Sequence, residues 1–170
     1  MPVRTLLIAA LTVAGAFSIP LAAAAAAPQA TASADLASSA ANMAMLDRFY
    51  LALGADDTAT IAELLADAMI WKDGEGVRFS GQELASPDAV LEGVFGPGVA
   101  RFEEFWATAG LYLVDGRHVV ALGQYRAVNR STGELLKPSF AHVFTFSDGR
   151  IVGFQQYTDT PRWIEGATPD

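Results

Sequence analysis

The residue types best suited to chemistry gather in one stretch near the end of the chain. There Phe140-Ala-His-Val-Phe-Thr-Phe146, a Ser-Asp-Gly-Arg turn and Ile151-Val-Gly-Phe-Gln-Gln-Tyr-Thr-Asp159 spell a hairpin. Asp148-Gly149 can adopt the positive φ angles of a two-residue type I′ turn. Phe146 is then expected opposite Ile151, and Phe144, His142 and Phe140 opposite Gly153, Gln155 and Tyr157. One sheet face would carry Phe140, His142, Phe144, Phe146, Ile151, Gln155 and Tyr157, an apolar wall with a few convergent polar groups, as a small-molecule pocket requires. An imidazole among phenylalanines has its charged form disfavoured by desolvation, which leaves a neutral donor and acceptor near neutral pH. His142 is thus a candidate acid, base or oxyanion donor, set against the plainer role of a core histidine satisfied by Gln155 or Tyr157. The late carboxylate Asp159 lies four residues beyond Gln155, roughly 13 Å along a strand. His142 and Asp159 are therefore expected as separate polar groups at the floor and rim of one pocket rather than as a dyad.

Other chemistries are poorly provided for. The chain has two histidines and no cysteine, which rules out a three-histidine metal site, a thiolate nucleophile and disulfides. No carboxylate cluster has ligand spacing, so no metal is expected, and no cofactor is needed. There is neither a Gly-rich phosphate loop nor a glycine-flanked serine. His118, beside Asp115-Gly116, reads as a solvated hairpin residue.

The beginning of the chain reads as a secretory leader: Arg4, an apolar run over 5–21, then an alanine-rich tract with a small-x-small site at Ala32-Ser33-Ala34. The expected organisation is a signal peptide over 1–34, a flexible arm over 35–42, one domain over 43–165 and a tail over 166–170. A secreted or periplasmic location follows, in preference to an uncleaved membrane anchor, and no stable membrane association is expected after cleavage. The full chain carries 19 acidic and 11 basic residues. Loss of Arg4 with the leader brings the net charge to about −9, a field that repels phosphate backbones, so nucleic acid is not expected as a partner.

The elements that must position the hairpin follow from periodicity. Met43, Leu46, Phe49, Tyr50 and Leu53 have the three-and-four spacing of a helix with one buried stripe. Thr58 can cap a second helix bearing Ile61, Leu64, Leu65 and Ala68. Met69-Ile-Trp71 reads as a strand entering a turn at Lys72-Asp-Gly-Glu-Gly76, and Phe79-Ser-Gly81 as irregular chain. Ser86-Pro87 starts a third helix, stopped by Gly96-Pro97-Gly98. The pattern then alternates over 100–108, 111–114, 119–128, 135–146 and 151–158, with Asp115-Gly116, Thr132-Gly133 and Asp148-Gly149 as turns of an antiparallel meander. The class is α+β, helices first and a curved sheet second.

This order, with Gly81, the Ser-Pro-Asp-Ala-Val helix start, Asp115-Gly-Arg-His-Val-Val, Thr132-Gly133 and above all the 140–159 hairpin, resembles the SnoaL-like branch of the nuclear transport factor 2-like superfamily over nearly all of 43–163. The resemblance implies a cone-shaped fold in which helices close a curved sheet. It specifies the reaction weakly, because the scaffold hosts isomerases, cyclases, epoxide hydrolases, dehydratases and binding proteins. Set against ketosteroid isomerase, Asp73 falls at the position of the base, Phe49 at that of the oxyanion tyrosine and His142 at that of the protonated aspartate. Tyr50, about 100° further round the helix, is not expected to replace the missing hydroxyl. Set against the polyketide cyclases, Tyr157-Thr-Asp159 is similar to the ending that carries the proton-shuttling carboxylate.

The sequence thus leads to an exported SnoaL-like domain binding a small apolar molecule. Asp159 or Asp73 would move a proton and His142 would polarise a carbonyl, with Tyr157, Gln155, Trp71, Phe140, Phe144 and Phe49 lining the site. The reaction class is cofactor-free isomerisation, hydration or dehydration, or cyclisation. The alternatives are a carrier or sensor using the same cavity, and a module that homodimerises through the outer sheet face around Val143, Thr145, Val152 and Phe154.

Overall fold

The computed structural model describes residues 26–74 and 83–159. Residues 1–25 of the leader expected over 1–34, Phe79-Ser-Gly81, Trp163 and the tail over 166–170 lie outside them. Helix α1 (Ala26–Gly54) and α2 (Thr58–Leu64) lead into strand β1 (Leu65–Lys72). After β2 (Glu83–Leu84) come α3 (Pro87–Val90), a π-helical turn (Leu91–Phe95) and α4 (Gly96–Ala100). The rest is sheet: β3 (Phe102–Asp115), β4 (His118–Asn129), β5 (Leu135–Leu136), β6 (Ser139–Ser147) and β7 (Arg150–Thr158). The seven-stranded sheet runs β2-β1-β7-β6-β4-β3, with β5 beside β4. The expected antiparallel meander holds from β3 to β7, and β1 adds a parallel pairing to β7, so the sheet is mixed.

Residues 35–42, expected as a flexible arm, are helical and continuous with α1. The buried stripe begins at Asn42, whose Nδ2 donates to the Gly116 carbonyl (3.4 Å), rather than at Met43, which is 38% exposed. Leu46, Phe49, Tyr50 and Leu53 follow on that stripe and are buried. Helix α2 is capped by Asp57 instead of Thr58: one carboxylate oxygen accepts the Thr60 amide (3.0 Å), the other the Thr60 hydroxyl (2.7 Å). It ends at Leu64, four residues before the apolar period runs out. The Arg150 guanidinium donates to the carbonyls of Glu63 and Leu65, both at 3.1 Å, and Leu65 pairs with Ile151. Tertiary pairing thus outweighs the local helical period over 65–68.

Ser86 caps α3 as expected, its Oγ accepting the Ala89 amide (3.2 Å). Gly96-Pro97-Gly98 does not stop the helical path, which passes through the π turn and continues to Ala100. Pro97 occupies the first turn of α4, where a missing N–H costs nothing. The two segments expected over 100–108 and 111–114 are one strand with a register shift near Gly110. Conversely, Pro138 divides the single run expected over 135–146, since it has no amide to give the ladder.

Candidate active site

The hairpin turn is built as expected, with Asp148 at φ 50° and Gly149 at φ 68°. Phe146 faces Ile151, but Thr145 faces Gly153, so Val152 is an extra residue in β7 and every pair beyond it shifts by one. Phe144 therefore faces Phe154, His142 faces Gln156, and Phe140 faces Thr158. Gln155 and Tyr157, expected beside His142, turn to the opposite face, and Tyr157 is 60% exposed. Phe154 and Gln156 occupy the inner positions and are buried. Phe154 accordingly does not belong to the outer face on which dimerisation was expected.

His142 is the centre of a buried polar chain. Its Nδ1 lies 2.9 Å from the Tyr50 hydroxyl and its Nε2 2.8 Å from the Tyr125 hydroxyl. Tyr125 donates onward to Gln156 Oε1 at 3.1 Å. Since that carbonyl oxygen can only accept, the Tyr125 proton is committed to it, Nε2–H donates to the Tyr125 oxygen, and Nδ1 accepts from Tyr50. Both ring nitrogens are satisfied, by neither of the residues expected. Burial lowers the His142 pKa to about 3, so the ring is neutral. Burial likewise raises both tyrosines: Tyr50 with a smaller contribution from Tyr112, Tyr125 with contributions from Asp73 and then Tyr50. Phe140 stacks on His142 at 3.9 Å between centroids, Phe154 meets it edge-on at 5.0 Å, and Phe144 and Phe49 pack edge-to-face at 5.5 Å.

Asp73 stands just beyond the end of β1, in register with this chain, because Lys72 pairs with Gln155. A Cβ on the next residue, Gly74, would lie 3.5 Å from the Gln156 amide nitrogen and 3.1 Å from Thr158 Cγ2. Burial pushes the Asp73 carboxyl up to about 6, against the opposing effects of the Gly74 N–H, which donates to its Oδ1 (3.1 Å), and of the Arg101 charge. A partly buried carboxylate of that pKa is suited to take and return a proton near neutrality. Asp159 lies past the end of β7, its amide donating to the Ser139 carbonyl (3.2 Å), and His142 makes no bond to it. Trp71 is buried on β1, stacked on Phe154 at 3.7 Å. Among the described residues no cluster of three or more His, Asp or Glu side chains could hold a metal ion. No described helix is long and apolar enough to cross a membrane.

Tyr50, Tyr125, Gln156 and Phe154 were missed by sequence reasoning. Tyr125 had a usable signal, since Val119, Ala121, Gly123, Tyr125 and Ala127 alternate on the inner face of β4. Tyr50 was set aside by its angle from Phe49, yet the buried stripe of α1 is wide enough to hold both.

A cone of helices over a curled sheet, with a polar chain inside it, defines a class that the sequence comparison makes specific: residues 46–154 match the SnoaL-like domain, and the chain belongs to that family. Among solved structures it is similar to a nuclear transport factor 2-like protein of Burkholderia thailandensis, with 26% identity, a TM-score of 0.67, and coverage of 74% of this chain and 95% of that one. It is also similar to IdmH of Streptomyces antibioticus, proposed to be a polyketide cyclase, at 19% identity, TM-score 0.65 and coverage of 73% and 96%. An epoxide hydrolase of the LEH-like type from M. tuberculosis shares the fold at 18% identity, TM-score 0.61 and coverage of 75% and 90%. No curated protein matches the chain.

Proposed function

We propose that this SnoaL-like domain holds a small, largely apolar molecule in its cone and moves a proton on it, with Asp73 as the base. The observation that carries this reading is a carboxyl whose pKa burial raises to about 6, beside a buried polar chain walled by aromatic rings. On a ketone, Asp73 takes the proton from the carbon next to the carbonyl, and the C–H electron pair moves into the enolate. The protonated carboxyl then returns the proton to that carbon, which is hydrogen exchange, or to a conjugated one, which is an isomerisation; neither needs a co-reactant. His142, with both nitrogens bonded, fixes the positions of the Tyr50 and Tyr125 hydroxyls and does not itself transfer the proton. Asp159, at the strand end, has a structural part in this reading.

The test is deuterium incorporation from heavy water into a panel of cyclic ketones, read by mass spectrometry, for the native chain and Asp73→Asn. Exchange by the native chain no faster than in buffer, or equal exchange by the variant, sinks the base. Mass spectrometry of protein purified under native conditions from its own source would identify the molecule carried. A catalytically silent carrier is the second reading, favoured by the complete pairing of His142. It expects a bound molecule and no exchange.

Export is proposed on the leader pattern, and the mass of the mature chain tests it. A cut between Ala34 and Asp35 would remove the start of α1 and keep the Asn42 contact. Homodimerisation is proposed through the outer sheet face, where Leu111, Leu122, Ala141 and Tyr157 stand in one row across β3, β4, β6 and β7.

A further inference from the structure

Trp71 holds a donor that the fold leaves unused. The side chain is 2% exposed, and among the described residues its indole N–H has no hydrogen-bond partner. The ring is enclosed by other rings: Phe154 stacked at 3.7 Å, Phe95 edge-on at 5.6 Å and Phe49 at 6.3 Å. None of the three can accept a conventional hydrogen bond. Its main chain is fully employed, since Trp71 pairs with Leu84 on one side and Phe154 on the other. Leaving a donor unpaired after taking it out of water is costly, and native proteins retain such groups mostly where something else completes them. A phenylalanine would fill the same space without that cost. Asp73 follows two residues on, about 7 Å at strand spacing.

We propose that Trp71 Nε1–H receives an oxygen of the bound molecule, and that the cone selects a compound whose polar atom is an acceptor without a proton of its own, a ketone on an apolar skeleton. An alcohol would bring a hydroxyl hydrogen into a ring of phenylalanines that offers it no acceptor. The inference rests on the reading of the cone as a small-molecule site and adds to it the donor that would steady the enolate oxygen.

The test uses 1-tetralone and tetralin, one skeleton with and without the oxygen, bound to the full chain and followed by calorimetry and by the 15N-indole spectrum. The native chain is expected to bind the ketone about tenfold more tightly, the gain typical of one bond to a buried donor. One of the three tryptophan indole signals, the one absent from Trp71→Phe, should move downfield with the ketone and stay in place with the hydrocarbon. Trp71→Phe should bind both alike. If the native chain binds both compounds equally, or if that signal does not move, the donor role is overturned and the apolar site stands. If it binds neither, both readings fall. The indole shift is read on the native chain, so a variant that does not fold leaves the outcome decided.

Discussion

At the scale of the residue, Asp73 and His142 titrate in opposite senses, and the pH dependence of the protein separates them. Asp73 has its pKa raised by burial to about 6 from the ordinary 3.8 of an aspartate, so the folded state holds the proton more firmly than the unfolded one. Its contribution favours folding at low pH and is lost as the pH rises from about 4 to 6. Asp73→Asn should flatten that part of the stability curve in chemical denaturation, and should abolish a proton-exchange rate that otherwise climbs to a plateau above pH 6. His142 has its pKa lowered to about 3, so the unfolded state is the better proton acceptor. Its contribution is complete above pH 6.5 and declines as the pH falls towards 3; in His142→Gln that decline should vanish. Tyr125→Phe strips partners from both His142 Nε2–H and Gln156 Oε1, at about 1–3 kcal/mol for each buried group left unpaired. Urea titration of the variant measures the loss. That His142 would be neutral and walled by phenylalanines was legible from residue types alone. Its partners were not, because Tyr50 lies 92 residues away and meets it only through the packing of α1 on the sheet, and Tyr125, 17 residues away, only through the pairing of β4 with β6.

At the scale of the element, local signals succeeded where a side chain acts on its own backbone. The Ser86 cap and the Asp148-Gly149 turn are of this kind. They failed where the deciding partner is distant. The end of α2 is set by Arg150, and Arg150→Ala should fray the α2–β1 junction and cost about 1–3 kcal/mol, measured by thermal unfolding. The bulge at Val152 leaves no mark in a two-residue alternation, and it alone exchanged Gln155 and Tyr157 for Phe154 and Gln156 in the site. Gly123 shows a third constraint. A Cβ there would overlap the Thr108 carbonyl oxygen and the Phe140 ring. Gly123→Ala is therefore expected to displace Phe140 from His142 and to destabilise the domain by about 1–3 kcal/mol, with a shifted His142 ring resonance as the direct readout.

At the scale of the whole molecule, the outer sheet face presents Leu111, Leu113 and Leu122 to solvent. Exposed leucines gathered on one face support the proposed association of two copies through it. If the face joins two copies, Leu122→Glu should convert a dimer to a monomer in sedimentation equilibrium while leaving the interior untouched; a native chain that sediments as a monomer removes the interface. The fold class was readable at this scale because apolar periods switch once, from helical to alternating, and that switch survives errors in every individual boundary.

The chain of bonds through His142 has a further consequence for assembly. Its members come from α1, β4, β6 and β7, so it closes only when a helix and three strands have each arrived in the correct alignment. A strand slipped by one position would send some of these side chains outward and strand the others, unbonded, in the interior, a penalty far larger than slippage in an all-hydrocarbon interior would carry. The same imidazole that anchors the cone thereby acts as a lock on alignment, rejecting conformers that greasy side chains alone would tolerate.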